Sequence, residues 1–249
     1  MNDYQPNNQQ RYNRPEAWPP QAGGGWAGGL QPVTAAQASA EERMSFVRKV
    51  YALFFAATLF AVGGVGLGIT VKPLLRFAFE HPFIMLIVML GGVMGAQAVR
   101  HVRGLNLLAL FAFTTLTGVV ISPIIAVYTQ LNPASILQAG LLTVGIFGGL
   151  TAYVFVSKKD FSFMRGMLTV GLIVVVLASL LSLFVAASAF SFAISVAALI
   201  LFSGFVLYDT SNIIRRYPTN EYIAGALDLY LDAFNIFISL LSLLNFDGD

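Results

Sequence analysis

From Val50 onward the chain alternates long apolar runs with short polar breaks. Seven runs stand out, at about 50–71, 83–100, 105–128, 136–156, 166–187, 190–209 and 222–245. Each approaches the roughly 20 residues that a helix needs to cross a ~30 Å hydrocarbon core. The breaks carry turn chemistry: Lys72-Pro73, His81-Pro82, Asn132-Pro133, Lys158-Lys159-Asp160 and Tyr217-Pro218-Thr219-Asn220. The faintest break is 186–191, where no charge separates the fifth run from the sixth. The pattern predicts an all-α fold, a polytopic membrane protein of seven transmembrane helices occupying residues 43–249.

Residues 1–42 break the pattern. Five of the ten prolines fall there, with Gly23-Gly24-Gly25, Gly28-Gly29 and a Gln/Asn cluster from Gln5 to Asn13. A segment so poor in apolar groups buries too little surface to offset its ordering entropy, so it reads as a disordered tail. The first apolar run begins only near Val50, which argues against a signal peptide. Both tryptophans, Trp18 and Trp26, lie in the tail. Tyr51, Tyr128, Tyr153, Tyr217 and Tyr222 are therefore the expected interfacial anchors.

Composition narrows the function. Hydrophobic residues make up 57% of the chain and charged ones 10%, with a mean hydropathy of +0.76. So few charges cannot coat a water-facing surface, which excludes a soluble enzyme. Zero cysteine removes thiolate catalysis and Cys-based metal or iron–sulfur sites, and His81 and His101 stand in different loops. No cofactor is implied. The net charge of +2 gives no support for nucleic-acid binding.

Lys and Arg set the orientation. With seven spans, the tail and the second, fourth and sixth loops share one side. Twelve of the fourteen basic residues lie there, Arg100, Arg103, Arg165, Arg215 and Arg216 among them, against only Lys72 and Arg76 opposite. The positive-inside rule then puts the N-terminus in the cytoplasm and the C-terminus outside. Within the spans, Gly64/Gly68, Gly91/Gly95 and Gly145/Gly149 are pairs that let helix backbones approach closely in lipid. Thr117-Gly118-Val119-Val120 faintly echoes Ser203-Gly204-Phe205-Val206, as an inverted repeat would. Pro123 is expected to kink its helix.

An ionisable side chain inside a span costs a few kcal/mol or more and needs a reason. Asp209 ends the sixth run; Asp228 and Asp232 lie in the seventh, four residues apart and on one face, which Asn235 continues. The sixth helix runs inward and the seventh returns, so Asp209 and Asp232 fall at similar depths. Arg100 ends the second span on the same side. Two acids meeting in a dry interior share a proton and titrate as a pair. Deprotonation leaves an anionic site that attracts a cation, or Arg100. Bland readings stand beside this one: Asp209 as a capping acid before Thr210-Ser211-Asn212, Asp228 as a complement to a helix N-terminus, and Arg100 as a topology signal.

These residues resemble the Bax inhibitor-1 family. Leu207-Tyr208-Asp209-Thr210-Ser211-Asn212-Ile213-Ile214, followed by Ala226-Leu227-Asp228-Leu229-Tyr230-Leu231-Asp232-Ala233-Phe234-Asn235-Ile236-Phe237, is similar to its C-terminal signature. Leu110-Phe111-Ala112-Phe113-Thr114 with Thr117-Gly118 and Ser122-Pro123 resembles its third helix, and Lys158-Lys159-Asp160-Phe161-Ser162-Phe163 the loop after its fourth. The resemblance implies seven helices with the seventh central and wrapped by the other six. It implies a di-aspartyl pH sensor at Asp209 and Asp232, a transient seat for calcium, with Arg100, or nearby Arg103, as its latch. Family members with this sensor are pH-sensitive calcium leak channels, not enzymes. Paired aspartates also suggest intramembrane hydrolysis, but the added glycine-rich acid motif of such proteases is missing. Thr210–Ile214, Phe163 with Gly166-Met167, and Ser239–Leu244 resemble a bacterial inner-membrane branch. Some of that branch restrain the membrane protease FtsH, which makes a non-conducting FtsH partner the alternative. That branch does not always keep the sensor acids, and this chain has both.

Overall fold

A computed structural model describes residues 33–246, apart from 103 and 186. Most of the expected tail, residues 1–32, lies outside the described residues, as does Arg103. The described chain forms α1 (Ala40–Thr70), α2 (Lys72–Glu80), α3 (Pro82–Ala98), α4 (Leu105–Leu131), α5 (Pro133–Ser157), α6 (Arg165–Ser182), α7 (Ser188–Arg215) and α8 (Tyr222–Leu244). A single 3-10 turn, Ser162–Met164, precedes α6. The only β-type pairing among the described residues is an isolated bridge between Thr34 and Pro218.

Capping chemistry moves the first boundary. The Ser39 hydroxyl accepts the Glu42 N–H at 3.2 Å, while the Glu42 carboxylate accepts the Ser39 N–H at 3.1 Å. This reciprocal capping box starts α1 ten residues before the apolar run that predicts it. Residues just before it are tied down too: Ala35 N–H donates to the Tyr217 carbonyl at 2.9 Å, and Thr219 N–H to that of Val33 at 3.2 Å.

Three of the predicted turns are helix starts. Pro73, Pro82 and Pro133 each stand in the first turn of α2, α3 and α5, where a missing N–H costs nothing. The second run is thus shorter than 83–100 and joins α2 at a bend of 98°. Six helices are long and apolar enough to cross a bilayer, and seven if the bent α2–α3 pair counts as one. The faint break after the fifth run falls earlier than expected: α6 stops at Ser182 and α7 starts at Ser188.

The last helix is the most enclosed. It packs against α1, α4, α5 and α7, with Leu229, Ile236 and Leu241 fully buried. The other helices form an outer layer: α6 lies on α7, and α2 and α3 lie on α4. Leu59, Val144 and Ile200 are 71%, 72% and 68% exposed, so the exterior of the bundle is apolar. Of the glycine pairs, only Gly64/Gly68 forms a close crossing. A Cβ on Gly64 would strike the Thr115 carbonyl of α4, one on Gly68 the Ser122 side chain, and one on Gly118 the Ala61 carbonyl of α1. Around Gly91, Gly95, Gly145 and Gly149 an added Cβ meets open space. In the echoed motif, Gly204 of α7 likewise faces Leu168 and Met164 beside α6.

α4 continues through Pro123 as one helix. Proline removes the N–H that would bond the Val119 carbonyl four residues back. The buried Ser122 hydroxyl donates to that carbonyl instead, at 2.8 Å.

Candidate functional site

Where α7 leaves the bundle and α8 enters it, a cavity of about 600 Å³ opens between four elements. The end of α3 contributes Gln97 and Arg100, the start of α6 Arg165, and the last turns of α7 Asp209 and Asn212. The connecting loop adds Arg216, Tyr217 and Glu221, and α8 adds Asp228 and Asp232. Asp209 lies six residues inside the end of α7 and Asp228 six inside the start of α8. At 1.5 Å per residue both are about 9 Å below the helix ends, and Asp232 is about 15 Å below. The guanidinium groups, by contrast, stand at helix ends.

Asp209 and Asp232 both line this cavity, near enough for the charge of each to bear on the other. Two carboxyls so placed in a poorly hydrated site do not both ionise cheaply. Asp232 is 3% exposed, and among the described residues no N–H or hydroxyl donates to it. Asn212 faces Asp209 from one turn further along α7. α7 runs on to Arg215, so Thr210, Ser211 and Asn212 are helical and buried, not a capping segment. Packing holds them there: Phe161 N–H donates to the Ser211 hydroxyl at 3.2 Å, and Thr210 is fully buried.

Asp228 joins the same cluster from the α3 side. The Tyr217 hydroxyl donates to its Oδ2, and the Gln97 amide faces it. Burial first, and Asp228 second, push the Tyr217 phenol far above its ordinary range, so this residue stays a donor. Tyr217 is therefore a site residue and not the membrane anchor the sequence suggested. Arg100 shares the cavity with Asp228 and acts on it electrostatically. Arg100 itself donates to His101 Nε2 at 3.0 Å and to Gln97 Oε1 at 3.3 Å, and among the described residues it forms no ion pair with a carboxylate. His101 Nδ1 meets Glu221 at 3.2 Å, which ties the loop after α3 to the loop before α8. Asn235, the last of the predicted face, turns away and donates to the Leu231 carbonyl at 2.7 Å.

The rim on the α6 side is fastened by its own contacts. Arg216 donates to Asp160 Oδ2 at 2.8 Å and to the Ser162 hydroxyl at 2.6 Å, and Arg215 donates to the Lys158 carbonyl. The Ser162 backbone N–H, then Arg216, hold the Asp160 carboxyl down at about 2. No group of three carboxylates or imidazoles among the described residues is placed to hold a metal ion.

Gln97, Tyr217, Asn212 and Glu221 were missed as site residues by sequence reasoning. Polar side chains at helix ends look alike whether they face water or a shared cavity, and only the fold separates them.

Bilayer-length helices with an apolar exterior, and carboxyls buried between the last two, define a polytopic helical membrane protein. The chain belongs to the Bax inhibitor-1 family: the family model described as "Inhibitor of apoptosis-promoting Bax1" matches residues 43–249. It is 34% identical to Protein lifeguard 4 of Mus musculus over 84% of this chain and 88% of the relative. It is 36% identical to Bax inhibitor 1 of Schizosaccharomyces pombe, over 81% and 76% of the two chains. An uncharacterized protein of Campylobacter jejuni is 40% identical over 80% and 87%. The chain is thus a multi-pass membrane protein with bacterial relatives, in contact with the lipid bilayer.

Proposed function

We propose that this protein is a pH-sensitive cation leak, with calcium as the cation, and that the Asp209/Asp232 pair is its sensor. One observation supports the reading: two carboxyls from the last two helices, that of Asp232 buried, line one cavity together with three guanidinium groups. Deprotonating the pair leaves two charges facing each other in a poorly hydrated site, which a divalent cation or a guanidinium relieves. Arg100, already turned toward Asp228, is the mobile cation of the latch, and Asp228 is its holding point. In this reading the bent α2–α3 pair is the second of seven spans. The N-terminus and the cavity mouth face the cytoplasm of a bacterial inner membrane, the C-terminus faces outward, and the protein is not an enzyme.

Calcium entry into liposomes holding the purified protein, followed from about pH 6 to about pH 8, tests this. The flux is expected to depend on pH, and Asp209→Asn and Asp232→Asn are each expected to remove that dependence. A wild-type pH response in Asp232→Asn overturns the sensor. The second reading, a non-conducting partner of FtsH, is favoured by the way Val33 and Ala35 are pinned to the loop after α7. Whatever grips the chain before residue 33 then pulls at the cavity mouth. Absence of flux at every pH, with FtsH retained in a pull-down, decides for it.

A further inference from the structure

The charges around the cavity are sorted by depth. Arg165 is the first residue of α6 and Arg216 the first after α7, so both guanidinium groups stand on the rim beside the Ser162 hydroxyl. Among the described residues the Arg165 guanidinium has no hydrogen-bond or ion-pair partner. The carboxyls form the floor, and Asp232 there receives no N–H or hydroxyl donor although it is 3% exposed. Leu172, Phe202 and Phe205 give the cavity an apolar wall. On this flank α3 packs on α4 and α2 and α6 packs on α7, with no extensive packing between α3 and α6 among the described residues.

We infer that this cavity seats a phosphoethanolamine zwitterion, supplied sideways from the bilayer as the headgroup of a phospholipid. The phosphate takes the Arg165 and Arg216 guanidinium groups, which match its geometry. The ammonium reaches down and gives Asp232 the N–H donor that the protein does not supply. The acyl chains lie along the apolar wall and out through the gap between α3 and α6. Three other headgroups fit less well. A choline headgroup has no N–H to donate, a glycerol headgroup has no cation, and a serine headgroup brings a carboxylate against the acids. Occupancy is independent of any leak, because it is measured without flux.

Native mass spectrometry of the full chain, offered equimolar phosphatidylethanolamine, phosphatidylcholine and phosphatidylglycerol with identical acyl chains, tests the inference. Phosphatidylethanolamine is expected to be retained about tenfold over either competitor, the worth of a charge-assisted hydrogen bond. Asp232→Asn is expected to erase the preference over phosphatidylcholine. Arg165→Gln, an exposed change that leaves the core intact, is expected to lower retention of all three lipids. Displacement of bound lipid by soluble phosphoethanolamine supports the seat and assigns its source to water; persistence of the lipid assigns it to the bilayer. Equal retention of the three lipids by the wild type, or a preference unchanged in both variants, overturns the inference.

Discussion

Two cavities of similar size in the bundle differ in almost everything else. The one at the charged end, about 600 Å³, has four carboxyl side chains and three guanidinium groups in its walls. The other, about 490 Å³, lies in the elbow between α2, α3 and α4 and is lined by Met85, Met89, Val120, Pro123 and Ile124, with Tyr128 as its one hydroxyl. An apolar hollow costs little to keep in a bilayer, because lipid tails fill it on equal terms. A carboxyl cluster costs several kcal/mol in the same surroundings, and packing alone does not call for it. Volume does not distinguish the two, but the cost of their linings does.

The sharpest way to break that contrast is to move a charge. Val120→Asp places a lone carboxyl in the elbow cavity with only Tyr128 near, and is expected to cost about 3–5 kcal/mol of stability. Loss of the cooperative melt, or a large drop in its midpoint in detergent, checks this. The converse change sharpens it. Asp209→Leu combined with Asp232→Leu is expected to leave the fold equally stable or to stabilise it by about 1–4 kcal/mol, while removing pH-dependent flux. A stable, pH-blind bundle would show that the acids are kept for work and not for folding. The smallest effect concerns the rim. Asp160 has its pKa lowered by Ser162 and Arg216, so it stabilises the fold fully above its ordinary value of 3.8 and loses that as pH falls toward about 2. The melting difference between wild type and Asp160→Asn is therefore expected to be small at about pH 5 and to vanish near about pH 2.

The fold was legible where periodicity and length speak alone. Seven apolar runs and the adjacency of the last two follow from helix arithmetic. The similar depth expected of Asp209 and Asp232 does not hold, since Asp209 lies six residues from its helix end and Asp232 ten. Prolines misled in part, because Lys72-Pro73 reads equally as a turn and as the first turn of α2. The end of α7 was hidden for a similar reason: Thr210-Ser211-Asn212 has turn-forming chemistry, and only burial against neighbouring helices keeps it helical. The start of α1 was readable from Ser39 and Glu42, three apart, had capping been weighed along with hydropathy. At the site, the carboxyls announce themselves by being in the wrong solvent. Gln97, Tyr217 and Asn212 do not, since nothing in their spacing shows which way a helix end faces.

α3 is among the most lightly attached helices of the bundle. It is held along one side by α4 and at its start by α2, and its far end carries Gln97 and Arg100 over the acids. It starts at the 98° elbow and runs some 25 Å, the length of 17 helical residues, before its end reaches the acids. One short helix thus lends Met85 and Met89 to the apolar hollow and Gln97 to the charged one.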